Sequence, residues 1–125
     1  MRILLDTHIY LWWLTDSPRL SASAKDTIKN ATAVYISSAS IWEAGIKIAT
    51  GKLEANIEEL IDSIKPNGFI ELPISAAHAK QAAQLPDIHR DPFDRMLVAQ
   101  ATCEPLRLLT ADIQLTKYSE LVDLV

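Results

Sequence analysis

Four acidic side chains stand where a sheet protein does its chemistry. Asp6 directly follows the apolar run Arg2-Ile-Leu-Leu5, and Glu43 lies one helical turn beyond the run Ala33-Val-Tyr-Ile-Ser37. Asp94 falls in the turn opened by Asp91-Pro92, and Asp112 follows Arg107-Leu-Leu-Thr110 by two residues. Ionised carboxylates gathered at one edge of a low-dielectric sheet repel one another. Such a group needs a cation, or some of its members must take up protons. Hard oxygen donors suit Mg²⁺ or Mn²⁺. A divalent ion in that setting activates water and holds a phosphodiester, which is the basis of metal-dependent phosphoryl transfer.

These acids need elements to bring them together. Residues 2–6 read as a short buried strand, with helices over 8–15 and 21–31, the second opened by Ser21. Residues 33–37 form a β-rich run, and 40–49 a helix that Gly51 is placed to end. Asn56 caps an amphipathic helix to Ile64, with Ile57, Leu60, Ile61 and Ile64 at helical spacing. Residues 69–72 form a third strand and 75–85 an Ala-rich helix. Asp91 as cap and Pro92 at the first position open a helix running to about Glu104. Residues 107–110 form a fourth strand and 121–125 a short fifth. Short apolar strands alternating with helices predict an α/β fold: a central, mostly parallel sheet of four to five strands with helices on both faces. Ligands in such folds bind beyond the carboxyl ends of the strands, where the four acids fall.

Each acid also has a plain structural reading. Asp6 could cap the first helix. Glu43 stands four residues before Lys47 in the favourable ion-pair order, and three after Ser40 in capping-box spacing. Asp94 could favour its helix N-terminus through the dipole, and Asp112 could cap a short helix from Ile113. Those readings use four different devices, whereas a metal site accounts for all four positions at once.

The chain's 125 residues suit one domain, residues 1–125, with one core. Hydrophobic residues make up 49% and charged residues 22%, the balance of a soluble globular domain rather than a disordered one. The single cysteine, Cys103, excludes a disulfide framework and a Cys-rich zinc site, and its apolar surroundings predict an inert buried thiol. The longest charge-free run, Asn30–Trp42, falls short of the roughly 20 residues of a membrane helix. Asp6 interrupts any signal-like start, so the expected location is the cytosol.

Four blocks then resemble the PIN-domain family, and within it the VapC-like toxin ribonucleases of bacterial toxin–antitoxin pairs. Leu5-Asp-Thr-His8 is similar to the family's opening block with its first acid. Ile36-Ser-Ser-Ala-Ser-Ile-Trp-Glu43 resembles the second, a strand, a Ser-rich turn and a helix carrying Glu. His89-Arg-Asp-Pro-Phe-Asp-Arg95 and the helix after it look like the "DPFDR" subgroup, and Leu108-Leu-Thr-Ala-Asp112 resembles the last block. The blocks run in family order and span nearly the whole chain. The resemblance implies a PIN-like three-layer fold and a Mg²⁺- or Mn²⁺-dependent endoribonuclease. It implies a metal site of Asp6, Glu43, Asp94 and Asp112, with in-line attack of activated water on RNA. Asp94 matches the ligand position, while Asp91 better fits a structural cap or an orienting partner. Thr7, Ser38, Ser40 and Thr110 are polar neighbours that could orient carboxylates, with cap and turn bonds the alternative, especially for Ser40. Arg95 and Arg90 could meet phosphate, or be paired and solvated respectively. His8 and His89 flank the blocks, but the mechanism requires neither, and lone loop histidines read as bystanders. The family also implies a homodimer and silencing by a cognate antitoxin protein.

Trp12 and Trp13 occupy adjacent helical positions about 100° apart, so one must face away from the core. An outward aromatic suits a partner surface or base stacking. Rival functions fare less well. A haloacid-dehalogenase-like phosphatase needs a second Asp two residues after the first, where His8 stands. A response-regulator receiver needs a Lys near the last strand that has no evident counterpart. The closer alternatives keep the fold: an inactive PIN-like module binding RNA or protein, or a related nuclease of RNA processing. The formal net charge of −4 argues against binding nucleic acid by bulk positive charge. Setting the four site acids aside leaves 12 acids against 12 Lys and Arg, so the rest of the chain is formally neutral. RNA binding is then conditional on metal.

Overall fold

The computed structural model describes residues 1–125. The chain runs β1 (Arg2–Leu5), α1 (Thr7–Leu14), α2 (Ala22–Asn30), β2 (Ala33–Ser37), α3 (Ser38–Ala49), α4 (Ile57–Asp62) and β3 (Ile70–Leu72). It continues through α5 (Ala76–Gln84), α6 (Pro92–Cys103), β4 (Arg107–Thr110), a 3-10 helix (Ile113–Lys117) and β5 (Val122–Leu124). The five strands form one sheet in the order β3-β2-β1-β4-β5, and every pairing is parallel. The mostly parallel sheet expected is parallel throughout, because each strand is followed by a helical crossover before the next.

Alternation along the central strands separates two cores. Ile3 and Leu5 of β1, Val34 and Ile36 of β2 and Leu109 of β4 pack on one face with Ile9 and Tyr10 of α1 and Ala24 and Ile28 of α2. Leu4 and Leu108 point to the other face, against Leu97, Val98 and Ala101 of α6 and Leu115 of the 3-10 helix. Leu4 is fully buried, so Leu4→Ala would cost about 2–5 kcal/mol. The result is the three-layer arrangement expected.

Strand order sets the position of the site. The chain leaves β1 toward β2, and β4 later returns on the opposite side of β1. Segments after β1 and β4 therefore diverge to opposite faces, opening a crevice at their carboxyl ends. Register aligns those ends: Leu5 pairs with both Ile36 and Leu109, so Asp6 lies beside Thr110.

Three local expectations are corrected. Helix α3 starts at Ser38, because Ser37 is its cap and accepts the Ala39 N–H. Ser40 is therefore inside the helix and caps nothing, and the Ser40–Glu43 capping box does not form. Cys103 is exposed at the end of α6 rather than buried, since the apolar face of that helix is carried by residues 97–101. Gly51 does end α3, in the left-handed region at φ +76°.

An acidic cleft at the switch point of the sheet

Asp6 sits at the N-cap position of α1, yet its side chain caps nothing. Its Oδ2 accepts instead from Thr110 Oγ1 at 2.6 Å. The same Thr110 oxygen accepts from the Asp112 backbone N–H at 3.0 Å, so one hydroxyl links two of the acids. Asp6 is 4% exposed. Burial pushes its carboxyl above the usual carboxylate range, against the opposing bond from Thr110 and the nearby His8.

Glu43 is 6% exposed, on the inward face of α3. The ion pair expected with Lys47 is present, at 3.1 Å, but it engages only Oε2. Oε1 is buried with no partner, and Gln100 Oε1 is the one other side-chain atom in that condition. A buried acceptor left unpaired costs about 1–3 kcal/mol, more when charged. A cation in the cleft would satisfy it.

Asp94 lies in the first turn of α6. Burial raises its carboxyl to about 8, and Asp6, Asp91, Glu43 and Asp112 add to the rise. Asp91 is the cap of α6, accepting from the N–H groups of Phe93 and Asp94 at 2.8 and 3.3 Å. Asp112 caps the 3-10 helix through Oδ1 from Gln114 N–H, while its Oδ2 meets His89 Nε2 at 3.1 Å. Ligand atoms of His89, Asp94 and Asp112 all lie within 4.8 Å of one another.

One cleft of about 500 Å³ unites these groups: Asp6, Glu43, Asp91, Asp94 and Asp112 line it with His8, Trp12, Arg19 and Lys47. The donor set is hard oxygen, it carries an orphaned buried carboxylate oxygen, and burial raises the proton affinity of Asp6 and Asp94. Such a set of oxygen donors could hold a hard divalent cation.

Four further residues fall differently from expectation. Thr7 is buried and donates to Ser40 Oγ at 2.9 Å, fastening α1 to α3 beneath the acids. Ser38 faces away from the cleft, and its Oγ accepts from Ile74 N–H, tying α3 to the strand-end after β3. Arg95 does not line the cleft. Its guanidinium donates to the carbonyls of Ala82, Leu85, Pro86 and His89 and to Tyr118 OH. His89 is no bystander, being in contact with both Asp112 and Asp94. Arg19 was not singled out by its position in the sequence. It comes from the α1–α2 connection, whose path only the fold reveals.

Sheet order, crossover pattern and acidic cleft together define an α/β protein built to gather carboxylates at the switch point of a parallel sheet. A PIN-domain family model matches residues 3–121, and the chain belongs to the PIN-domain family. It is 27% identical over 123 residues to Ribonuclease VapC22 of Mycobacterium tuberculosis (strain ATCC 25618 / H37Rv), covering 93% of this chain and 91% of that protein. In fold it is similar to a chain of VapBC2 from Rickettsia felis bound to a DNA fragment from their promoter. The TM-score there is 0.72 at 18% identity, over 100% of this chain and 98% of that one. A chain of FitAcB from Neisseria gonorrhoeae gives 0.69 at 21% identity, over 98% and 96%. A chain of a toxin–antitoxin complex from Klebsiella pneumoniae gives 0.68 at 19%, over 97% and 95%.

Proposed function

We propose that this chain is a metal-dependent endoribonuclease of 125 residues in a single nuclease domain, acting as the toxin of a toxin–antitoxin pair. The observation that carries the reading is the acidic cleft itself. Glu43 Oε1 is buried without a partner there, beside an Asp94 whose carboxyl is raised to about 8. In this reading Asp6, Glu43 and Asp94 hold the principal Mg²⁺ or Mn²⁺, and Asp112 completes the site. When bound, the ion lowers the pKa of water and neutralises charge developing on the phosphate.

The chain's own residues do the rest. Thr110 aims Asp6, and Asp91 keeps the first turn of α6 in place so that Asp94 faces the cleft. Lys47 balances one Glu43 oxygen and leaves the other for the cation. Arg19 and Trp12 line the same cleft, a cation for a flanking phosphate and a ring for an unstacked base. Single-stranded RNA suits this combination. The similarity to Ribonuclease VapC22 and to chains from toxin–antitoxin complexes supports the substrate and an antitoxin partner, and the homodimer is what the family resemblance implies. In this reading the chain acts on RNA in the cytoplasm.

The test is sequencing of RNA ends after a pulse of expression, wild type beside Asp6→Asn. New 5′ ends at a recurrent position with the wild type and none with the variant are expected. Identical end profiles would leave the chain a binding module.

A further inference from the structure

His89 is held by contacts that no role as a loop bystander explains. Its Nδ1 accepts the backbone N–H of Asp91 at 3.0 Å. An accepting Nδ1 belongs to the neutral ring, whose one hydrogen then sits on Nε2. That N–H points at Asp112 Oδ2, 3.1 Å away, with Asp94 Oδ2 at 3.5 Å. With its lone pair at Nδ1 already used and a hydrogen on Nε2, the ring has no free nitrogen to give a metal.

The backbone of His89 is fixed as firmly as the ring. Its N–H donates to Tyr118 OH at 2.7 Å, and that hydroxyl donates back to the His89 carbonyl at 3.2 Å. Arg95 Nη1 reaches the same carbonyl and the same hydroxyl, at 3.4 and 3.3 Å. Tyr118 caps the far end of the 3-10 helix that Asp112 opens. The loop before α6 and the segment after β4 are thus latched at two points, the His89 ring to Asp112 and Tyr118 to the His89 backbone. Asp112 needs this. It lies outside the sheet, and its Oδ1 is committed to capping Gln114.

We propose that His89 is a positioning residue of the acidic site: braced by Tyr118, it holds Asp112 beside Asp94 so that the remaining lone pairs of both carboxylates face a divalent cation. The inference rests on the metal-dependent reading above. Partners that orient metal ligands are worth about 10–100-fold in metal affinity.

Mn²⁺ affinity, read from the free-ion EPR signal, tests it on the purified chain without any assay of cleavage. The variants are His89→Ala, His89→Gln, Tyr118→Phe and Asp94→Asn, each checked for fold by circular dichroism. His89→Ala is expected to weaken Mn²⁺ binding about 10–100-fold. His89→Gln, whose amide N–H replaces the Nε2 donor, should recover most of the loss. Tyr118→Phe, which touches no carboxylate, should weaken binding by a smaller factor. Should His89→Ala fail to fold, the Gln and Phe variants decide alone. Wild-type affinity in His89→Ala or in Tyr118→Phe overturns the inference. So does a His89→Gln variant as weak as the alanine, which would make the ring itself a ligand. If wild type binds Mn²⁺ and Asp94→Asn does not, the metal site stands whatever the His89 variants do. Absence of Mn²⁺ binding by wild type overturns the metal-dependent reading and this inference with it.

Discussion

Thr110 Oγ1 donates to Asp6 Oδ2 at 2.6 Å, joining two residues 104 apart in the chain. The bond exists because β1 and β4 are parallel neighbours whose last residues are in register. Topology alone therefore brings the first acid of the sequence under the hydroxyl that also receives the Asp112 N–H. Thr110→Val keeps the shape and removes the donor. It should weaken Mn²⁺ binding about 10-fold and cost about 1–3 kcal/mol of stability through the stranded Asp112 N–H. Titration calorimetry and denaturant unfolding check the two effects, and a valine variant with wild-type affinity would remove Thr110 from the site.

Asp94 predicts a pH dependence. Its carboxyl moves from the ordinary 3.8 to about 8 on folding. Between those values the folded chain keeps a proton that the unfolded chain releases. Stability of the metal-free protein is therefore greatest at the acid end of this window and falls as pH rises toward 8. Asp6 is shifted in the same direction. Thermal unfolding in EDTA across pH 5–8 should show a falling Tm, which Asp94→Asn flattens. A Tm that climbs over this range in wild type would contradict the shift.

The two adjacent tryptophans should separate cleanly. Trp13 packs on Phe69 with ring centroids 5.6 Å apart and donates to Asn67 Oδ1 at 3.0 Å. Trp12 lines the acidic cleft with Arg19. Trp13→Ala should lower stability by roughly 2–4 kcal/mol. Trp12 is also half-buried against the same core as Trp13, so Trp12→Ala should cost less stability than Trp13→Ala while raising KM for RNA about 10-fold, the worth of one stacked base. Equal stability losses in both would show that Trp12 serves the core.

Arg95 should behave as a structural residue. Its planar fork satisfies four carbonyls and a hydroxyl, which an ammonium cannot reproduce. Arg95→Lys should cost about 1–3 kcal/mol in urea unfolding. KM for RNA should stay within about twofold, because the side chain does not line the cleft. A large KM change without a stability change would return Arg95 to the substrate.

The fold was largely legible in the sequence, since its signals are local. β2 and β4 coincide with the apolar runs at 33–37 and 107–110, and Asp91-Pro92 marks the start of α6. Asp6, Glu43 and Asp112 were legible because they come after strands, which end at one edge of a parallel sheet, and Asp94 because Asp91-Pro92 marks the helix start that carries it. What the spacing could not convey is side-chain direction. Ser38 and Ser40 differ by two residues, yet one binds Ile74 and the other Thr7 beneath the site. Arg95 follows Asp94 directly, and about 100° of helical rotation turns it toward the end of α5 instead. His89 and Arg19 reach the cleft from connections whose paths depend on tertiary contacts. The His-Arg-Asp-Pro run did carry a signal, because the residue before proline is held extended. Asp91 has φ −66° and ψ 116°, and its N–H thereby meets the His89 ring.

The central claim is that residues 6, 43, 94 and 112 are assembled to hold a divalent cation. Crystals grown with Mn²⁺ and measured at its absorption edge test this most directly. An anomalous peak is expected in the cleft, bonded to carboxylate oxygens of Asp6, Glu43 and Asp94, with Glu43 Oε1 among its ligands. A cleft without a peak at saturating Mn²⁺, or a peak bound only at the surface elsewhere, would contradict it.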